Sequence, residues 1–164
     1  MASTGSRAEG KVLEILAAPT GLSATLAAIA EAEQTALAEI PPAHIVRQNV
    51  SAEIVERNTG TRYPLVQVYC EKLSNSLKEK FRRFSGKAHM AVEVRVSQDR
   101  LEGLERKVQL YADGLMQVLD GSRGDWGNGM YYAGGYEAAF GAVKHGGRNF
   151  LQAAKISFEV EVSE

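Results

Sequence analysis

His44, His89 and His145 are the three histidines of this chain, and Cys70 is its one cysteine. Imidazole and thiolate are the side chains best suited to hold a metal or act as base and nucleophile near neutral pH, so their spacing is the natural starting point. The histidines are scattered, with no H-E-x-x-H or paired-ligand spacing, which argues against a metal centre. Glu71 follows Cys70 and disfavours a thiolate there. Neither a G-x-S-x-G elbow nor a G-x-x-x-x-G-K-S/T phosphate loop occurs. Lys144-His145-Gly146-Gly147-Arg148 has the makings of a backbone nest for an anion, although a turn with two solvated cations is the better reading. The carboxylates fall in exposed helix and strand patterns. No catalytic set emerges, so the expectation is a protein that is not an enzyme and carries no cofactor or metal.

Interaction chemistry is better represented. The segment 71–87 holds Lys72, Lys78, Lys80, Arg82, Arg83 and Lys87 against Glu71 and Glu79. Leu73, Leu77, Phe81 and Phe84 recur within it at four, four and three. That spacing fits a helix, although Leu73, Leu77 and Phe81 also share a single face of a strand. The first reading is a projecting arm that presents Leu77, Lys78, Lys80, Phe81, Arg82, Arg83 and Phe84, its apolar side on a neighbouring subunit and its basic side toward nucleic acid or an acidic partner. The other is an extra helix on the domain's own core. The second candidate is a glycine-rich stretch, since nine of the 16 glycines lie between Gly121 and Gly147. Arg123, Trp126, Tyr131 and Tyr132 stand in it as a partner-contacting loop, large amphipathic side chains on a freely shaped backbone. The alternative is a loop folded back to cap its own sheet. Arg123-Gly124-Asp125 matches the integrin-binding tripeptide and is read as chance.

These segments need elements to carry them. A short apolar stripe over 10–18 and a second from Leu22 through Leu26 and Ile29 to Leu37 and Ile40 predict two helices, the latter ended by Pro41-Pro42. Residues 43–62 are open between a strand from Ile45 and a helix after Ser51, and Asn58-Thr59-Gly60 signals a turn. Strands are predicted from Tyr63 to Cys70 and from Ala88 to Gln98, the latter with Met90, Val92, Val94 and Val96 on one face. Asp99 and Glu102 make a capping box for a long helix with Leu101, Leu104, Val108, Tyr111, Leu115, Val118 and Leu119 on its stripe, ended by Gly121. Tyr136–Val143 and 153–162 complete the strands. The fold class is α+β: one domain over 1–164 with a mainly antiparallel β-sheet packed by a long helix. A helical N-terminal region covers 1–59, and a ββαββ core with the basic arm 71–87 covers 60–164.

The whole-chain totals fit this picture. With 164 residues, 19 Lys+Arg and 20 Asp+Glu, the chain suits one folded domain and is no nucleic-acid coat. That near-zero balance conceals a segment 63–98 with seven basic and three acidic side chains between mildly acidic flanks. Such asymmetry suits subunits that meet head to side or a positive patch facing an acidic partner, and a solvated face is the alternative reading. A lone cysteine and a start without the order of a signal peptide lead us to expect a protein made inside a cell.

The order of these elements resembles a known family. A strand opening Tyr63-Pro64-Leu65-Val66, the alternating strand 88–98, a helix opening at Asp99, a glycine-rich crossing and a final alternating strand resemble the tail-terminator, or tail-completion, proteins of long-tailed bacteriophages. More loosely they are similar to the neck proteins that join head to tail. The resemblance covers roughly residues 60–164. It implies a structural virion protein assembled in the host cytoplasm as a homohexameric ring. One face would bind the tail tube protein and the other the head-tail connector or adaptor protein, with DNA passing through the lumen without sequence-specific contact. A head-completion adaptor, or a small ligand-binding or enzymatic domain, are the alternatives.

Overall fold

The computed structural model describes residues 3–57 and 60–164, so the first two positions of the Asn58-Thr59-Gly60 turn lie outside the described residues. The chain is α+β, with four α-helices and one curled, mixed sheet. Helix α1 (Thr4–Ala17) starts where the Ser3 hydroxyl accepts a hydrogen bond from the Ser6 amide at 3.2 Å, and it buries Ala8, Val12 and Leu16 at four-residue intervals. Helix α2 (Leu22–Ala32) follows after Gly21, where a side chain would lie 2.5 Å from the Ile15 carbonyl oxygen. The predicted continuation of this helix to Ile40 is not made. Gln34 adopts a left-handed backbone with φ 51°, and residues 35–41 have no regular secondary structure. Ile40 still reaches the core, because the Tyr111 hydroxyl donates to the Ala38 carbonyl at 2.8 Å and Ser23 holds the Ile40 carbonyl.

Both elements left open over 43–62 are present. A short 3-10 turn, Pro42–His44, leads into β1 (Ile45–Arg47), and α3 (Ala52–Arg57) follows Ser51. Strand β2 (Leu65–Asn75) and β3 (Ser85–Gln98) form a long hairpin. The final strand β8 (Asn149–Ser163) pairs β3 along its whole length. Between β3 and β8 come α4 (Leu104–Asp120), β4 (Gly124–Gly127), β5 (Met130–Tyr132), β6 (Glu137–Phe140) and β7 (Lys144–Gly146). The sheet order is β1-β2-β3-β8-β5-β4, with β6 and β7 also on β8. Among the described residues only β1 and β2 run parallel.

Alternation decides the faces. Val66, Val68, Met90, Val92, Val94, Ile156, Phe158 and Val160 are buried in one core with Val12, Leu16, Leu22 and Leu26 of the N-terminal helices. Leu104, Val108, Tyr111 and Leu115 of α4 join the same core. Gly114 lets α4 and α2 approach closely, since a side chain there would meet Leu26 at 2.6 Å. The expected capping box is not used. Helix α4 opens at Gly103, with φ 79°, and Asp99 and Glu102 lie in the preceding turn with Leu101 exposed. Strand β3 stays paired to Gln98, and the chain must reverse before α4 can lie back on the sheet. Glycine at positive φ makes that reversal where Asp99 would start the helix too early.

Candidate interaction site

The segment 71–87 is an extended arm, not a helix. Strands β2 and β3 carry the hairpin out to Asn75 and Ser85, and residues 76–84 form its tip. The Asn75 side chain organises this tip: its oxygen accepts from the amides of Leu77 (3.2 Å) and Ser85 (3.0 Å), and its nitrogen donates to the Arg83 carbonyl (3.1 Å). Leu77 and Phe81 both hold left-handed backbones, at φ 46° and 66°, a conformation costly for large side chains. Leu77 is 62% exposed and Phe81 fully so.

The arm's predicted contact residues do not all face outward. Phe84 is buried in the core, and its backbone pairs in both directions with Glu164, at 2.9 and 2.8 Å. Apolar burial at the arm's root explains this inward turn. Arg83 donates to the Glu164 carboxylate at 3.0 Å, and Arg82 pairs with Glu79 at 3.3 Å. Thr4 and Arg7 also bind Glu164, and the hydrogen bond from Thr4, then that from Arg83, hold its carboxyl below the usual range. Lys78 and Lys80 are exposed, and among the described residues neither has an ion-pair partner.

The glycine-rich stretch divides in the same way. Trp126 and Tyr132 are buried, at 8% and 0% exposed, which corrects their expected role as contact residues. Their rings pack at 5.4 Å, Tyr132 meets Phe158 at 5.5 Å, and their polar atoms are spent on the Ser122 and Gly135 carbonyls. Tyr131, the neighbour of Tyr132 on a pleated strand, points to the opposite face and is 48% exposed. Arg123 is exposed and pairs with Asp120 at 3.4 Å.

Tertiary structure brings the arm and the loop together. Lys78, Glu79, Lys87, Tyr131, Glu161 and Ser163 line one cleft of about 210 Å³ between arm root and β4–β5 hairpin. Arg7 donates to the Asn128 carbonyl at the tip of that hairpin, at 2.8 Å. Leu77, Lys78, Lys80, Phe81 and Tyr131 thus face outward without an ion-pair partner among the described residues, whereas the exposed Arg82, Arg83 and Arg123 are paired with acidic neighbours.

The face of β3 that carries His89, Glu93 and Arg95 holds groups that local spacing did not show. Tyr69 donates to Glu93 at 2.8 Å, and Arg95 binds Glu93 at 2.7 Å and Gln67 at 2.8 Å. Further along, Ser74 Oγ lies 3.3 Å from His89 Nε2, and His89 Nδ1 lies 3.3 Å from Glu159 Oε1. Ser74, His89 and Glu159 thus stand in line across three strands. A β-bulge between Cys70 and Lys72 shifts the register that sets Ser74 beside His89. Lys87 donates to the other Glu159 oxygen at 2.8 Å and holds that carboxyl low. Alternation along β3 placed His89, Glu93 and Arg95 on one face, but cross-strand register alone supplies their partners.

The remaining sequence candidates sit apart. Burial, before the charges of Glu9 and Glu71, pushes the Cys70 thiol up. His145 packs its ring on Phe150, and Lys144 and Arg148 are exposed beside the turn at Gly147. Among the described residues no group of three or more His, Cys, Asp or Glu is placed to hold a metal ion, and no single helix is long and apolar enough to cross a membrane. No known protein-family model matches the chain, and no curated protein matches it.

Proposed function

We propose that this chain is a self-assembling structural subunit of a tailed-bacteriophage neck, a tail terminator that forms a ring on the last layer of the tail tube. The arm carries this reading: Leu77 and Phe81 stand exposed on a hairpin tip with Lys78 and Lys80 beside them. A folded monomer gains nothing from exposing large apolar groups in a strained conformation, whereas an interface does. The order of strand, arm, strand, helix, glycine-rich crossing and final strand supports the family resemblance over 60–164. In this reading α4 is the helix that packs the core sheet, and α1 and α2 are an additional helical layer. The free ring face takes the head-tail connector, and DNA passes through the lumen. A head-completion adaptor is the same kind of object one level higher in the neck.

Light scattering on the purified full-length chain tests this. The wild type should elute as a ring, and Lys78→Glu with Lys80→Glu should leave a monomer with unchanged circular dichroism. Arg82 and Arg83 are poorer targets because Glu79 and Glu164 already neutralise them. A wild-type chain that stays monomeric, alone and with tail-tube protein, overturns the reading.

The line of Ser74, His89 and Glu159 favours a second reading, acyl-ester hydrolysis at Ser74. The Ser74 oxygen would attack the carbonyl carbon while His89 takes its proton and returns it to the leaving alcohol, after which water releases the acid. Covalent labelling by a fluorophosphonate, lost in Ser74→Ala, is the expected result, and absence of labelling discards it. Glu159 is half-exposed and shared with Lys87, so it is a weaker orienting group than a buried carboxylate. Assembly is therefore the better-supported function.

A further inference from the structure

Resting on the assembly reading above, we infer that the arm tip of one copy seats on the outer face of α2 in the next copy. The tip offers Leu77 and Phe81 with Lys78 and Lys80, so its complement must be accessible, at least partly apolar and negatively charged. Residues 12–46 contain Glu14, Glu31, Glu33 and Glu39 and no lysine or arginine. Within that stretch α2 is apolar on both sides: Leu22, Leu26 and Ile29 face the core, while Ala24, Ala27 and Ala28 are exposed on a stripe that continues to Glu31 and Ala32. Alanine methyls leave room for a ring such as Phe81 to lie flat against the helix.

The charge on this face is only partly relieved within one copy. Glu31 and Glu39 are exposed, and among the described residues neither has an ion-pair partner. Glu33 is paired with Arg106 at 2.9 Å. Asp113 of α4 nevertheless has its carboxyl raised, by burial first and then by Glu33. Among the described residues, neither Lys78 nor Lys80 pairs with Glu31, Glu33 or Glu39 within one copy. Within one copy the arm is tied to Ser85, Ser163 and Glu164, at the end of the sheet where α1 begins. Arm and α2 face are different surfaces, so their contact is heterologous and repeats head to side, closing into a ring when the rotation permits.

Two experiments on the full-length chain separate this inference from the assembly reading. In a Cys70→Ser background, Phe81→Cys and Ala28→Cys chains are mixed and oxidised. A disulfide-linked dimer should form in the mixture and in neither variant alone. In the second, Glu31→Lys with Glu39→Lys should weaken self-association about tenfold or more, and adding Lys78→Glu with Lys80→Glu should restore it. Circular dichroism should be unchanged throughout, because all four charges are exposed. If the wild type assembles but Glu31→Lys with Glu39→Lys assembles equally well, or the mixture gives no cross-link, the α2 docking is overturned and the assembly reading stands. If the wild type is monomeric throughout, both fall.

Discussion

Replacing Tyr132 with alanine should lower the free energy of unfolding by about 3–5 kcal/mol, the range for removing a buried aromatic ring. Tyr132 is fully buried, packs on both Trp126 and Phe158, and donates its hydroxyl to the Gly135 carbonyl at 2.8 Å. Its loss opens a cavity where β5 joins β8 and leaves that carbonyl without its donor. Tyr132→Phe keeps the ring and should cost only about 1 kcal/mol. Tyr131→Ala, one residue away but half-exposed, should stay within about 0.5 kcal/mol in stability and weaken assembly instead. Chemical denaturation of the three variants checks this. Equal losses at Tyr131 and Tyr132 would contradict the inward placement of one and outward placement of the other.

Alkaline unfolding is the second large effect. Burial pushes the Tyr111 and Tyr132 phenols up to about 12, in Tyr132 with a further contribution from Asp120. Burial and the hydrogen bond to Glu93 raise Tyr69 as well. In the unfolded chain these groups ionise near their ordinary value of 10.0. Between the two values the unfolded state releases protons that the native state keeps, so stability falls as pH rises. The contribution is fully present below about pH 10 and is lost by about pH 12, on the order of 2–3 kcal/mol for each of Tyr111 and Tyr132. Melting temperature should therefore be flat up to about pH 10 and drop steeply beyond it. In Tyr132→Phe the drop should be shallower. A melting temperature unchanged to about pH 11.5 would show that these phenols are not held neutral by the fold.

The fold was legible wherever an apolar period was long and uninterrupted. Met90, Val92, Val94 and Val96 alternate over a strand that is buried on that face, and the stripe from Leu104 to Leu119 is the buried side of α4. Boundaries were less legible because they depend on distant partners. Asp99 and Glu102 satisfy the local rule for a helix start, but β3 stays paired right up to Gln98, and the reversal the chain must then make delays the helix to Leu104. Leu37 and Ile40 continue the period of α2, yet Gln34 turns left-handed and Ile40 is delivered to the core by a segment without regular secondary structure. The arm was ambiguous for a simpler reason. Leu73, Leu77 and Phe81 are spaced by four, an even number that suits a strand face and a number close to the helical repeat of 3.6.

By itself, the sequence determined which residues repeat with which period, where charge accumulates and where glycine frees the backbone. Those are local properties, and they sufficed for an α+β chain with a basic segment and an aromatic, glycine-rich one. Tertiary structure alone decided that the basic segment is a hairpin, that Phe84, Trp126 and Tyr132 turn inward, and that Tyr131 and Lys78 share a cleft. It also set Ser74, His89 and Glu159 side by side on three strands. The reason is register. A side chain's neighbours across a sheet, and the face that helices cover, are fixed by pairings between residues far apart in the chain, which no local period encodes.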